Sequence, residues 1–335
     1  MKAIRIANPG GLDRLTLVDM DEPGAPGPGE IRVRIHASSL NFHDYGVVSG
    51  KMPTEDGRIP MSDGAGVVEA VGDGVEDFAI GDHVVSCFFP LWQDGPARVA
   101  DFKTTPGDGV DGYARESVVR PATWFTHAPK GWDHDEAATL TTAGLTAWRA
   151  LVVDGGIKAG DRVLVLGTGG VSIFALQMAK AFGASVAATS SSDDKLERVR
   201  ELGADFTVNY KSEANWGAAV REWTGGDGVD HVVEVGGPAT LAQSIEAGRI
   251  GAHLALIGVL TGRSGEIPTA KLMAKQQTLQ GLIVGSHTMQ TEMIRALETT
   301  GIRPVIDSRF ALADIANAFR HEEAGKHFGK IALTI

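Results

Sequence analysis

Between residues 161 and 184 the chain reads DRVLVLGTGGVSIFALQMAKAFGA, and no other stretch constrains the fold as strongly. Residues 162–166 are a short Val/Leu-rich run bounded by Asp161 and Gly167, which predicts a buried strand. The turn Gly167-Thr168-Gly169-Gly170 follows, and from Val171 to residue 182 apolar side chains recur at helical spacing. Strand, glycine turn and helix in this order make a dinucleotide-binding pattern, because the helix start points free N–H groups at a pyrophosphate. The spacing G-x-G-x-x-G asks for glycine at 172, where this chain has Ser172. The alternative reading is an αβ turn of any doubly wound fold.

The pattern around this stretch divides the chain. A length of 335 residues exceeds one ordinary core and predicts two domains. Residues 2–7, 15–19, 30–37, 62–71, 82–86 and 113–119 have strand composition, separated by turn-dense segments such as DEPGAPGPGE. Short strands at this spacing predict a compact β-barrel-like domain. Residues 88–111 form a long Gly-, Pro- and aromatic-rich loop without periodicity. A helix is predicted from residue 135 to about 153. Strands at 185–189, 206–209, 230–235, 253–259 and 279–284 then alternate with helices at 193–202, 215–223 and 240–247. Such alternation means α/β architecture with a parallel, doubly wound sheet. Residues 290–299 and 312–323 read as helices and 305–310 and 330–335 as strands, the last folding back onto one domain.

Bulk properties exclude several function classes. The net charge of −11 argues against a nucleic-acid footprint, which needs clustered Lys and Arg. Cys87 is the one cysteine, so neither an internal disulfide nor a cysteine-rich zinc lobe can form. The start MKAIRIANPG has no apolar segment after a basic residue, and no apolar run is long enough to span a bilayer. The expectation is a cytoplasmic protein acting on a small molecule, with no membrane or nucleic-acid partner.

The cofactor's identity is read at the end of the second strand. A carboxylate about 20 residues past the first glycine binds the ribose 2′-OH of NAD. Here that place holds Ser190, Ser191 and Ser192, with Lys195 one turn later. Hydroxyls and a cation suit a 2′-phosphate, so NADP(H) is favoured over NAD(H). Asp193 and Asp194 open the next helix, where its dipole favours them. Alternatively, the serines only cap that helix. Tyr210, after the third strand, is placed to touch the adenosine phosphate.

Several motifs in order carry a family resemblance: SSLNFHD near 41, PMSDGAGVVEAVGDGV at 60–75, FAIGDHVV at 78–85, AATLTTAGLTAW at 137–148, the glycine turn, ATSSSDDKLERVRELGAD at 188–205 and HFGKIAL at 327–333. Along nearly its whole length the chain resembles the medium-chain dehydrogenase/reductase superfamily. It looks most like the zinc-free, quinone oxidoreductase-like branch and its alcohol dehydrogenase-like subgroup, in which a serine at 172 is usual. The resemblance implies a GroES-like substrate domain over 1–126 and 300–335, and a central Rossmann domain over 127–299 that binds NADP(H). It implies a homodimer as well. Asn41 corresponds to a residue at the nicotinamide end of the cofactor in quinone reductases. Thr146 is a second cofactor contact, and Gly258 and Val259 approach the nicotinamide by their backbone. Lys330 falls where relatives place a basic residue near the pyrophosphate, unless it faces solvent. The positions of the Cys, His and Cys zinc ligands in zinc-containing relatives are held here by Asn41, Ser62 and Ala143, a set that zinc does not prefer. His43, Asp44, Asp63 and His83 are the other side chains that could be nominated for a metal.

Without a Lewis acid to lower an alcohol's pKa, reduction of a quinone or an α,β-unsaturated carbonyl is the expected chemistry. Metal-free alcohol, aldehyde or ketone oxidoreduction is the alternative, and a non-catalytic NADPH sensor is the rival of another class. Hydride transfer needs positioning and a proton source. His43, whose ordinary pKa suits proton exchange near neutrality, and Tyr45 are the candidate donors; water is the third. As alternatives, His43 is a hydrogen-bonded loop histidine and Tyr45 a pocket wall. Phe88, Phe89, Trp92, Phe42 and Leu145 are the expected substrate wall, though an aromatic cluster in such a loop is as often packing.

Overall fold

All strands of the central segment pair in parallel. The computed structural model describes residues 1–99 and 101–335, which form two compact units, Met1–Leu145 with Val284–Ile335 and Thr146–Ile283. In the second unit the strands Arg162–Leu166, Ser185–Ser190, Phe206–Asn209, Val229–Glu234, Gly248–Leu256 and Thr278–Gly281 make one six-stranded sheet. Numbered along the chain, they lie in the order 3-2-1-4-5-6, the Rossmann order. Their apolar runs explain why they are central: Val163 to Val165, Val186 to Ala188 and Val232 to Val233 are essentially inaccessible. Each such Val or Leu contributes about 1.5–3 kcal/mol by leaving water. The helix Gly170–Ala181 covers the first strand with Ile173, Phe174, Leu176 and Met178.

Two strands differ from their expected bounds for local reasons. The fifth runs Gly248–Leu256 rather than 253–259: it starts early through a register shift opposite Val229 and His231. It stops at Leu256 because the N–H groups of Ile257 and Gly258 both turn to the Glu234 carbonyl. The sixth ends at Gly281, not 284, and Val284 takes a positive φ of 44°. The short helix Thr269–Ala274 has no sequence signal because none of its residues is fully buried and Leu272 packs on the core only in part.

The first unit is built on a seven-stranded sheet and a two-stranded ribbon, Lys2–Ile6 with Leu15–Asp19. Its central strand, Glu30–Ser39, pairs antiparallel with Ala65–Val71, with Ser117–Pro121 and with the last strand, Lys330–Thr334. The expected return of the chain end therefore occurs here, where Lys330–Thr334 also pairs in parallel with Ile306–Ala311. The strand expected from 62 begins only at Ala65, since Met61 has a φ of 80° and Ser62 and Asp63 turn into a buried polar network. The strand expected from 113 begins at Ser117, because Tyr113 and Ala114 bond back to Met61 and Pro60.

The unit boundaries fall at 145/146 and 283/284 rather than at 126/127 and 299/300. His134–Ala138, closed by an Asp133/Glu136 capping box, packs with the first unit. So does the helix His287–Thr300, from which Gln290 Nε2 donates to the Ser86 carbonyl and to Thr126 Oγ1. The single helix expected over 135–153 is interrupted by π-helical turns at Leu140–Gly144 and Arg149–Val153. Among the described residues no helix is long and apolar enough to cross a membrane.

Candidate functional site

The glycine turn sits at the carboxyl edge of the parallel sheet. Gly167 has a φ of 72°, which a side chain resists, and its N–H donates to the Thr189 carbonyl at 2.9 Å. A Cβ added at Gly167 or Gly169 would meet no atom within 4 Å, so space beside the turn is open to a ligand. The helix then starts at Gly170 with Thr168 and Val171 beside its N-terminus. Ser172 Oγ donates to the Leu166 carbonyl at 2.7 Å, closing the turn from inside; this is why a hydroxyl serves where the pattern asks for glycine. The turn fits a pyrophosphate held by backbone N–H groups.

Ser190 ends the neighbouring strand and is buried, its Oγ accepting from Ser192 N–H at 3.3 Å. Ser192 is the N-cap of Asp193–Glu201, so one of the three serines does cap the helix, while Ser191 and Lys195 stay partly exposed. Asp193 is tied to Asn209 Nδ2 at 2.8 Å. Tyr210 lies beside this strand end through a bond from its N–H to the Ser190 carbonyl, and its side chain is exposed. Gly258 is required by packing: a Cβ there would stand 2.1 Å from the Val235 carbonyl. Val259 is half-exposed and Thr146 buried. Sequence reasoning missed Glu234, whose buried carboxylate accepts from the N–H groups of Gly236 and Gly237 and from Thr240 and Ser244, fixing the turn after the fourth strand.

In the first unit Asn41, Asp44, Ser62, Asp63, Thr142 and Lys330 form one buried polar network. Asn41 Nδ2 donates to Asp63 Oδ2 at 2.8 Å and to Asp44 Oδ2 at 3.0 Å. Lys330 Nζ donates to Asn41 Oδ1 at 2.6 Å and to the Leu40 carbonyl, with Asp63 at 3.7 Å. Asp63 also accepts from Ser39 Oγ at 2.6 Å and Thr142 Oγ1 at 2.6 Å. Asp44 accepts from Ser62 N–H at 2.8 Å and Ser62 Oγ at 3.3 Å. Burial pushes the Asp44 carboxyl above the usual range, and the Asp63 charge adds to this. Glu322 is pushed up to about 8 by burial and by Asp44 against the pull of Lys330, and its Oε2 is enclosed without a partner. Lys330 is thus neither solvent-facing nor a free cation: it is 3% exposed and neutralises this network. Asn41 spends its amide on the same groups.

The two expected proton donors have other partners. His43 Nε2 lies 3.2 Å from Asp108 Oδ2, and its Nδ1 is enclosed without a partner. Its ring packs on Phe88 and Phe102 at 5.2 Å and 4.8 Å between centroids. Tyr45 sits in the apolar core and donates to Glu323; that bond and burial hold its hydroxyl up to about 12, unsuited to give a proton near neutrality. Phe88, Phe89 and Trp92 are buried against one another, and Leu145 is buried against Gly285. Only Phe42, 57% exposed, offers an open aromatic face.

The chemistry of the donor set does not fit a catalytic zinc ion. Asn41 and Ser62 are bound into the network, and Ala143 has no donor atom. Among the described residues no three His, Cys, Asp or Glu side chains group so as to hold a metal, and His83 stacks on His134 instead.

Family models match at both units: an alcohol dehydrogenase GroES-like domain over residues 27–130 and a zinc-binding dehydrogenase over 170–299. A zinc-type alcohol dehydrogenase-like protein of Schizosaccharomyces pombe is 39% identical over 334 residues, 97% of this chain and 96% of its own. Among solved structures, an NAD-dependent alcohol dehydrogenase aligns with a TM-score of 0.91 at 35% identity, covering 100% of both chains. A mycobacterial protein complexed with NADPH aligns with a TM-score of 0.83 at 30% identity, again covering 100% of both. A Pseudomonas syringae quinone oxidoreductase aligns with a TM-score of 0.83 at 29% identity, covering 100% of this chain and 99% of its own. The chain belongs to the medium-chain dehydrogenase/reductase superfamily. It is an oxidoreductase with a GroES-like domain and a Rossmann domain, in a family whose dehydrogenases use a nicotinamide cofactor.

Proposed function

We propose that this protein is a zinc-independent, NADPH-dependent reductase that delivers hydride to a quinone or an α,β-unsaturated carbonyl compound. The observation that carries the reading is the Asn41–Asp63–Lys330 network. Of the residues at the expected ligand positions, Asn41 is bonded to an internal ammonium and two carboxyls, Ser62 to the Asp44 carboxyl, and Ala143 has no donor atom. Acceptors that need no Lewis acid, a quinone or a conjugated C=C, suit such a site better than an alcohol. When bound, the reduced nicotinamide supplies the hydride. The chain supplies the glycine turn that would hold the pyrophosphate, and Ser190, Ser191 and Lys195 beside the 2′ position. A carboxylate is absent from that strand end, which supports NADPH, as does the NADPH bound to the mycobacterial neighbour.

An NADPH-oxidation screen over quinones, enones, enoyl thioesters and aldehydes, with metal analysis of the same sample, tests the reading. Turnover of quinones or enones without stoichiometric zinc is expected; zinc-dependent turnover of alcohols alone overturns it. Assembly into a homodimer belongs to the same proposal, supported by the edge strand Thr278–Gly281, which among the described residues is paired on one side only. Sedimentation at two concentrations checks it.

A further inference from the structure

Two loops stand beside the glycine turn at the carboxyl edge of the parallel sheet. The fourth strand pairs in parallel with the first, Val233 opposite Val165, so the two end side by side at Glu234 and Leu166. The order 3-2-1-4-5-6 reverses between these strands, and a doubly wound sheet opens its ligand crevice at that point. The second strand, with Ser190 at its end, lies on the other side of the first. A dinucleotide with its pyrophosphate on the glycine turn and its adenosine ribose at Ser190 would therefore lay its nicotinamide half over the ends of the fourth and fifth strands.

Both loops at those ends depend on one carboxylate. Glu234 is wholly buried, and four donors converge on it. Its Oε1 accepts from the N–H groups of Gly236 and Gly237 at 2.7 Å and 3.0 Å and from Thr240 Oγ1 at 2.6 Å, while Oε2 accepts from Ser244 Oγ. These bonds curl the chain back after the fourth strand, and Gly237 takes a φ of 92° that a side chain resists. The Glu234 carbonyl accepts from the N–H groups of Ile257 and Gly258 and so starts the second loop. Thr261 fastens that loop to the first. Its N–H and its Oγ1 both donate to the Gly236 carbonyl at 2.8 Å, and Oγ1 accepts from Ala239 N–H at 3.1 Å. A Cβ at Gly237 would stand 3.1 Å from Val259 Cα, so the loops also touch. Between the two fastenings Val259 and Leu260 are 49% and 54% exposed. Two adjacent apolar side chains are thus held out to solvent on a backbone fixed at both ends.

We propose that Glu234 and Thr261 are positioning residues for the dinucleotide. Together they clasp the loops 235–240 and 257–262, so that Val259 and Leu260 form a preset apolar ledge for the nicotinamide half. The inference rests on the nicotinamide-cofactor reading above. Glu234 and Thr261 act through the loops and not on the reacting atoms. A preset ledge reduces the ordering that binding must impose, so loosening it weakens the half of the cofactor that it meets and spares the other half.

The test compares NADPH with 2′-phospho-ADP-ribose, which lacks the nicotinamide, by calorimetric titration of the full chain, with thermal unfolding of each variant alongside. Thr261→Val keeps the side-chain shape and the N–H bond and removes both bonds of the hydroxyl. It should weaken NADPH by about 10-fold and leave 2′-phospho-ADP-ribose affinity and the unfolding temperature at their wild-type values, and Thr261→Ser should restore NADPH. Glu234→Ala should weaken NADPH at least as much. Glu234→Gln, whose amide can accept from Gly236, Gly237 and Thr240 and donate to Ser244, should regain most of the loss. Wild-type NADPH affinity in Thr261→Val, or an equal loss for both ligands, overturns the clasp, even where Glu234→Ala fails to fold. If the wild type prefers NADH, the same comparison runs with NADH and ADP-ribose. A wild type that binds neither NADPH nor NADH overturns the nicotinamide reading and the clasp with it. That outcome is distinct from failure of the clasp alone, in which the wild type and Thr261→Val bind the cofactor equally well.

Discussion

Lys330 Nζ donates to Asn41 Oδ1 at 2.6 Å, so the first and last segments of the chain meet through a buried cation and an amide. The last strand delivers the ammonium and the Asn41 turn receives it. Replacing Lys330 by Met removes the buried ammonium that faces Asn41 and Asp63 in this network. Removing one partner of a buried pair costs about 3–5 kcal/mol, so Lys330→Met should unfold at markedly lower denaturant. If stability is unchanged and NADPH affinity falls instead, Lys330 contacts the cofactor as its sequence position suggests.

His43 is held by Asp108 and by Phe88 and Phe102, all from the long loop segment or its start. With Nε2 engaged and Nδ1 enclosed, it ties that loop to the helix Phe42–Val48. His43→Leu should therefore cost about 1–2 kcal/mol of stability while kcat stays close to wild type. A fall in kcat of about 10²-fold at unchanged KM would return His43 to proton transfer.

Legibility in the sequence followed the range of the interaction. The Rossmann half was readable because its signals are local: Val163 to Leu166, the turn at Gly167 and the helix after it lie within about twenty residues. The polar network was not, because Asn41, Asp63, Thr142 and Lys330 are far apart in the chain and no spacing rule joins them. Asn41, Ser62 and Lys330 were singled out by resemblance, yet their partners became visible only in three dimensions. Thr142 and Glu322 had no signal at all: one is a threonine in a Thr-rich helical run, the other an acidic residue on an amphipathic helix. Tyr45 looked like a site residue because it lies in the NFHDY segment; the core cluster that claims it joins both ends of the chain, and its partner Glu323 comes from the far end.

Three imidazoles stack where the central strand, the strand His83–Ser86 and the helix His134–Ala138 meet. His134 lies 4.7 Å from His36 and 4.9 Å from His83, between centroids. Burial, then the neighbouring His36 and His83, lower His134 to about 4 against the opposite pull of Asp133 and Asp135. His36 is lowered too, by burial, Arg34 and His83, against Glu69. A histidine kept neutral in the folded state binds more protons when unfolded. Its contribution is complete above the ordinary value of 6.5 and is lost as pH falls from there toward about 4. Because His134 is partly exposed, the loss is on the order of 1 kcal/mol after screening. Urea unfolding at pH 7 and pH 5 should show this drop in the wild type and a smaller one in His134→Gln; an equal drop in both would assign it to other groups.

Lys195 stands on the first turn after Ser190 and Ser191, where a 2′-phosphate would lie and a 2′-hydroxyl would not need it. A charge-assisted contact of this kind is worth about 1–2 kcal/mol, or roughly 5–30-fold in Kd. Lys195→Ala should weaken NADPH binding by that factor and leave NADH binding unchanged, in titrations followed by nicotinamide fluorescence. Asp193 does not work against this, because Asn209 draws its carboxylate aside at 2.8 Å. Asn209→Ala should therefore weaken NADPH as well, by freeing that carboxylate to repel the phosphate. Tighter binding of NADH than of NADPH by the wild type would remove the basis for both effects and leave Ser192 as the cap of one helix.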